Sequence, residues 1–268
     1  MVSFQDDPDD GLRRVQIAVL AKAPIAGLAK TRLIPHLGPQ GAARLQRRLT
    51  RSAVRCALDA ELGAVTLWCT PHAQHPFFVA LQCTTGITCL VQSSGDLGDR
   101  MHTAFRLHCT QGPLLLIGTD CPALRPSHLH KAARALSDGE DAVFYPAEDG
   151  GYVLVGLRRS RPALFLGMRW STSEVMSDTR VRAQSQGLSV REFETLWEVD
   201  RPTDLARLQH CWAATPAHAA STLDRRRITA LSSLDSIRVH ADSSVSAQVP
   251  ASSSASLATA ALNLEERE

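Results

Sequence analysis

Leu114-Leu115-Leu116-Ile117-Gly118-Thr119-Asp120-Cys121-Pro122 decides the reading of this chain. Its continuous apolar run is what a strand covered on both faces requires. Gly118 lets the backbone make a close contact, and Pro122 ends the strand. Asp120 is thereby delivered to the carboxyl end of a buried strand. A carboxylate beside apolar neighbours is costly unless it has a partner. A hard divalent cation such as Mg²⁺ is a natural one, because it takes oxygen ligands and bridges to phosphates. Capping of the following helix, or pairing with an arginine, is the other reading these residues leave open.

Working outward, short apolar runs alternate with helical patterns. Strands are expected at 15–21, 64–70, 87–92, 114–118, 142–145 and Tyr152–Leu157, with a late strand within 188–199. Helices are expected at 39–60, Leu97–His108, 126–136, 174–186 and 202–212. In the first of these, Leu45, Leu49, Ala53 and Cys56 share one face. Repeated strand-then-helix units argue for an α/β layered fold around a mostly parallel sheet. Ligands of such sheets bind beyond the carboxyl ends of the strands, so chemistry is expected there.

The 268 residues are 44% hydrophobic and carry a formal net charge of +2, which supports one large core and argues against bulk nucleic-acid or membrane binding. Seven cysteines without a CxxC pair fit reduced thiols in a cytoplasm better than a disulfide framework. There is no apolar stretch long enough for a signal peptide or a membrane span. Residues 1–13 read as a flexible N-terminus and 14–212 as the folded domain. Residues 213–268 read as a Ser/Ala-rich, disordered tail with a short helix at 257–266.

Further segments carry candidate chemistry. Lys22-Ala23-Pro24-Ile25-Ala26-Gly27-Leu28-Ala29-Lys30-Thr31-Arg32 follows the first strand. Backbone N–H groups around Gly27, with Lys22, Lys30 and Arg32, suit a pyrophosphate. The loop matches neither the P-loop nor the G-x-G-x-x-G fingerprint. Glu148-Asp149-Gly150-Gly151-Tyr152 separates two strands; it is either a plain hairpin turn or an acceptor-facing loop. Trp197-Glu198-Val199-Asp200-Arg201-Pro202-Thr203 places Asp200 at a strand end, as a helix cap or as a second carboxylate on the metal of Asp120. In Gly95-Asp96-Leu97-Gly98-Asp99-Arg100, Asp96 serves as an N-cap or reaches a ribose or base, and Arg100 can reach a phosphate. Cys121 is a poor nucleophile beside Asp120. His72 and His75 resemble a metal pair but lack a second pair.

The ordered segments AKAPIAGLAKTRL, GDLGDRM, GTDCPAL, PAEDGGY, MRWST and LWEVDRPTDL resemble the motif set of a bacterial family of arsenosugar-biosynthesis-type glycosyltransferases and uncharacterised-domain proteins. That family lies in the GT-A, or nucleotide-diphospho-sugar transferase, superfamily, whose relatives include molybdenum-cofactor and phospholactate guanylyltransferases. The resemblance covers residues 15–208. It implies a three-layer GT-A (Rossmann-like) fold with a mixed, mostly parallel sheet. It also implies a nucleotide-sugar or nucleoside-triphosphate donor, a small-molecule acceptor and a divalent cation, Mg²⁺ or Mn²⁺. Asp120 would hold the metal, with Asp200 as a second contact. Lys22, Lys30 and Arg32 would meet the donor phosphates, and Trp170 would be available to stack on an acceptor ring. The relatives' first loop reads P-G-[RK]-V-K, so Leu28 stands here where a cation is usual.

The leading reading is metal-dependent glycosyl transfer, with Asp149 orienting the acceptor hydroxyl or acting as base. Gly150, Gly151 and Tyr152 would lie on the same acceptor side. The alternatives are nucleotidyl transfer with release of pyrophosphate, and nucleotide binding without turnover.

Overall fold

A computed structural model describes residues 14–213 together with Leu12. The expectations for the N-terminal segment, the Ser/Ala-rich tail and its short helix lie outside the described residues.

Seven strands form one sheet: β1 (Gln16–Lys22), β2 (Val65–Thr70), β3 (Thr88–Val91), β4 (Leu114–Ile117), β5 (Ala142–Pro146), β6 (Tyr152–Leu157) and β7 (Val190–Glu192). Their spatial order is β3-β2-β1-β4-β6-β5-β7. Every pairing is parallel except those of β6, which runs antiparallel to both β4 and β5. The sheet is therefore mixed and mostly parallel. The run that decides the fold behaves as its composition requires, since all of β4 is buried. Gly156 of β6 leaves room for its neighbours: a Cβ there would lie 2.5 Å from Val143 and 2.6 Å from Leu115.

The helices are α1 (Ile34–Asp59), α2 (Pro76–Thr85), α3 (Leu97–His108), α4 (Pro126–Ser137), α5 (Val175–Ser185) and α6 (Asp204–Ala213). Helices α1, α2 and α4 cover one face of the sheet, through Ala53, Val54 and Ala57, Phe77, Phe78 and Leu81, and Leu129, Ala132 and Leu136. Helices α3 and α5 cover the other, through Met101, Ala104 and Phe105, and Met176 and Ala183. The result is a three-layer α/β fold. A third, smaller cluster of Leu33, Leu45, Leu49, Trp197, Val199 and Leu208 joins α1, α6 and the segment before α6.

Helix α1 is broken at Gly38, whose φ of 67° and ψ of 164° are not helical, so its long arm begins at Pro39 as the pattern predicts. Helix α2 is absent from the sequence expectations. Its PFFVALQCTT has no clear polar face, and it is set by its ends instead. The His75 Nδ1 accepts from the Phe77 N–H at 3.2 Å, and Gly86 closes the helix at φ 74°. No described helix is long and apolar enough to cross a membrane.

Candidate functional site

The carboxyl ends of β1, β4 and β5 open at one edge of the sheet, and the reversed strand β6 begins at that same edge. Asp120 lies three residues beyond β4. Its backbone C=O accepts from the Val199 N–H at 2.8 Å, which ties the strand end to the segment leading into α6. Its side chain is held by two contacts. Lys30 Nζ lies 2.9 Å from Oδ1, and the Thr119 hydroxyl donates to the same oxygen at 3.1 Å. Behind them the buried Gln46 side chain donates to Thr119 Oγ1 at 3.0 Å. The Lys30 side chain is only 4% exposed, whereas that of Asp120 is 41% exposed, so the cation is hidden and the carboxylate opens to solvent.

Lys30 reaches this place at a cost. Its backbone is left-handed, φ 48° and ψ 48°, a conformation that disfavours L side chains by roughly 1–2 kcal/mol. Two bonds hold it there: the ion pair with Asp120 and donation from Nζ to the Val199 carbonyl. Two residues on, Arg32 pairs with Asp200. The basic loop and both candidate metal carboxylates are thus drawn into one charged cluster. The capping alternative for Asp200 is corrected, because the carboxylate of Asp204 accepts the N–H groups of Asp200 and Arg201 at 2.9 and 2.7 Å. Asp200 is left to Arg32.

The sequence expectations omitted Glu198. Trp197 and Val199 are buried in the third cluster, so in extended chain Glu198 points the opposite way, into the carboxylate-rich edge. Its pKa is raised to about 8, first by burial and then by the fields of Asp120, Asp149 and Asp200, against the opposing charge of Lys30. The alternation of Trp197, Glu198 and Val199 was the available signal.

Asp149 is exposed, and its Oδ1 accepts from the Gly151 N–H at 2.9 Å, closing a tight turn. Gly150 is required at φ 92°, where a Cβ would lie 2.1 Å from the Ser173 carbonyl oxygen; the Met176 N–H donates to Gly150 at 2.8 Å. The turn is thereby locked onto the segment before α5. Tyr152 and Trp170, expected on the acceptor side, are both half-buried. Both pack against the second core cluster, at 6.5 Å from each other and at 89°. The Tyr152 hydroxyl sits beside Thr179, where burial raises its pKa. Trp170 lies over Gly98, where a Cβ would meet its Nε1 at 2.9 Å. Only their exposed edges are left for a ligand.

The remaining candidates are spread around the same edge. Lys22 is exposed at the end of β1, and Gly27 takes φ 83° in an open turn. Asp96 caps α3, accepting from the Asp99 N–H at 2.9 Å while Asp99 returns the bond at 3.0 Å, so its capping reading is the one observed. Arg100 keeps a buried Nε with no acceptor among the described residues.

Among the described residues no three His, Cys, Asp or Glu side chains are arranged to hold a metal ion. Mg²⁺, however, is commonly held by one or two carboxylates with the rest of its shell from substrate phosphates and water. The open carboxylate of Asp120, within a field that keeps Glu198 protonated up to about pH 8, fits that requirement.

A family model described as an uncharacterized protein conserved in bacteria, DUF2064, matches residues 53–172. A candidate nucleotide-diphospho-sugar transferase from Desulfovibrio desulfuricans G20 is 25% identical, with a TM-score of 0.67, over 83% of this chain and 95% of that one. The inositol-1-phosphate CTP transferase of T. maritima aligns at 12% identity and a TM-score of 0.52, over 78% of this chain and 99% of its own. The 4-diphosphocytidyl-2C-methyl-D-erythritol synthase of Anaerococcus prevotii aligns at 11% identity and a TM-score of 0.50, over 73% and 98%. No curated protein matches the chain in sequence. The fold is that of the nucleotide-diphospho-sugar transferases.

Proposed function

We propose that this protein is a metal-dependent glycosyltransferase that takes a nucleotide-sugar donor and a small-molecule acceptor at the carboxyl edge of its sheet. The observation that carries the reading is the gathering of Asp120, Asp149, Glu198 and Asp200 with Lys30 and Arg32 at that edge. Carboxylates crowded beyond what their cations neutralise are costly in a resting protein, and a ligand bringing its own cations relieves that cost.

In this reading Asp120, with Asp200, holds Mg²⁺ or Mn²⁺, which supplies charge neutralisation for the departing nucleoside diphosphate. Lys30 and Arg32 turn from their carboxylates to the diphosphate oxygens, where negative charge grows as the sugar–phosphate bond breaks. Lys22 and the unpaired Nε of Arg100 add donors for the same phosphates. Asp149, held in its turn by Gly151, orients the acceptor hydroxyl and takes its proton as the new glycosidic bond forms. Gly150 keeps that turn seated against Ser173. Asp96 acts through α3, by fixing the helix start from which Arg100 projects.

Release of nucleoside diphosphate from a panel of nucleotide sugars, with Mn²⁺, tests the reading. Diphosphate release with at least one donor is the expected result. Pyrophosphate release from GTP or CTP instead would replace glycosyl with nucleotidyl transfer, and silence with every donor in folded protein would remove both.

A further inference from the structure

A second group of side chains, one arginine and two histidines, lies beyond the carboxyl end of β2. It is built from Arg47 on α1 and from His72 and His75, in the loop between β2 and α2. The two imidazole rings lie 6.4 Å apart. The Arg47 guanidinium sits 5.7 Å above the ring of Phe77, in the first turn of α2. Its Nε is buried with no hydrogen-bond acceptor, and no carboxylate pairs with Arg47, His72 or His75 among the described residues. A buried donor left without an acceptor is unusual in a folded protein and calls for an explanation.

The start of α2 fixes what His75 can offer. Its Nδ1 accepts from the Phe77 N–H at 3.2 Å, and its backbone C=O accepts from Phe78 and Val79 at 2.8 and 3.1 Å. Accepting at Nδ1 requires that this nitrogen be unprotonated, so the ring proton resides on Nε2. Burial and the charges of His72 and Arg47 oppose a second proton. His75 is therefore a donor of fixed tautomer, through Nε2. The amides of the helix start are already committed, so an incoming group would be met by side chains alone.

We propose that Arg47, His72 and His75 form an anion site that takes a phosphate group, free or carried on a small metabolite. Arg47 supplies the permanent charge and a planar set of donors. His75 supplies one oriented N–H, and His72 lies exposed at the rim. The site adjoins the basic loop, where the Ala23 N–H donates to the Thr70 carbonyl at 2.8 Å, and is built without Asp120, Asp149, Glu198 or Asp200.

Histidine-ring NMR of the full chain, titrated with inorganic phosphate and, in a second arm, with a sugar phosphate, tests this. Saturable shifts at both rings are expected, absent with chloride at equal ionic strength, and the tighter-binding ligand identifies the source of the phosphate. Arg47→Gln should weaken binding by about tenfold or more, as loss of a charge-assisted bond requires. His72→Ala, at an exposed position that leaves the fold intact, should weaken it less. Arg32→Ala removes a cation from the carboxylate edge and should leave the ring shifts in place. Absence of saturation, unchanged affinity in Arg47→Gln, or loss of the shifts in Arg32→Ala would overturn the assignment.

Discussion

The two edges of the sheet treat charge in opposite ways. At the amino edge of β5, Asp141 is surrounded by what it needs: Arg158 at 2.8 Å, Arg161 at 3.7 Å, and the backbone and hydroxyl of Ser189. The hydrogen bond from Arg158 holds its carboxyl below the usual range. At the carboxyl edge, Asp120, Asp149, Glu198 and Asp200 crowd together, and Glu198 is driven up to about 8. One edge spends its charges on holding strands β5, β6 and β7 together. The other leaves Glu198 buried among carboxylates and Asp120 open to solvent.

Three substitutions would sharpen or break that contrast. The largest effect is expected from Asp120→Asn. Removing the open carboxylate should lower turnover by about a thousandfold, the scale of losing several kcal/mol of charge stabilisation. Diphosphate-release rates in protein shown to be folded would report it, and the melting temperature should also fall, because the buried Lys30 loses its ion-pair partner. Comparable activity in wild type and variant would take Asp120 out of the chemistry.

Next comes Glu198→Gln. A folded-state pKa of about 8, above the unfolded value of 4.5, means that the folded protein holds the Glu198 proton more tightly. Its contribution is therefore present below pH 4.5 and is lost as pH rises through 8. Metal-free wild type should lose up to a few kcal/mol between pH 5 and pH 9 that the glutamine variant retains. Urea unfolding in chelator at the two pH values measures this; parallel behaviour of the two proteins would mean the carboxylates are not crowded.

The smallest effect is expected at the satisfied edge. The lowered pKa of Asp141 makes its contribution present above pH 3.8 and lost as pH falls. Its arginine partners are partly exposed, so screening limits the contribution. Asp141→Asn should cost about 1 kcal/mol at pH 7 and nothing at pH 2, as read from chemical denaturation. A cost that persisted at pH 2 would place the loss in packing rather than charge.

Much of this was legible in the sequence. Leu114 to Ile117 could only be a doubly covered strand, and a carboxylate just past such a strand must lie at the ligand edge. The helix Leu97–His108 and the strand Tyr152–Leu157 were marked by clean periodicity and have the boundaries their patterns predict. What escaped depended on partners distant in sequence. The direction of β6 is set by the hairpin 147–151 and by which neighbours accept its backbone, neither of which its own residues state. Helix α2 lacked a polar face to betray it. Glu198 looked ordinary between Trp197 and Val199, because its crowding exists only once Asp120 and Asp149 arrive from elsewhere. The same holds for Arg32, whose partner Asp200 lies at the far end of the described chain.

The Lys30–Val199–Asp120 junction has a consequence for a chain made from one end to the other. Strands β1 to β6 leave the ribosome well before the segment that carries Val199. During that interval Asp120 lacks the backbone bond that fixes its strand end, and Lys30 lacks the carbonyl that offsets its left-handed backbone. A nascent chain stopped short of this segment would therefore carry most of a sheet and none of a finished site. Among the described elements, this junction closes last, together with α6.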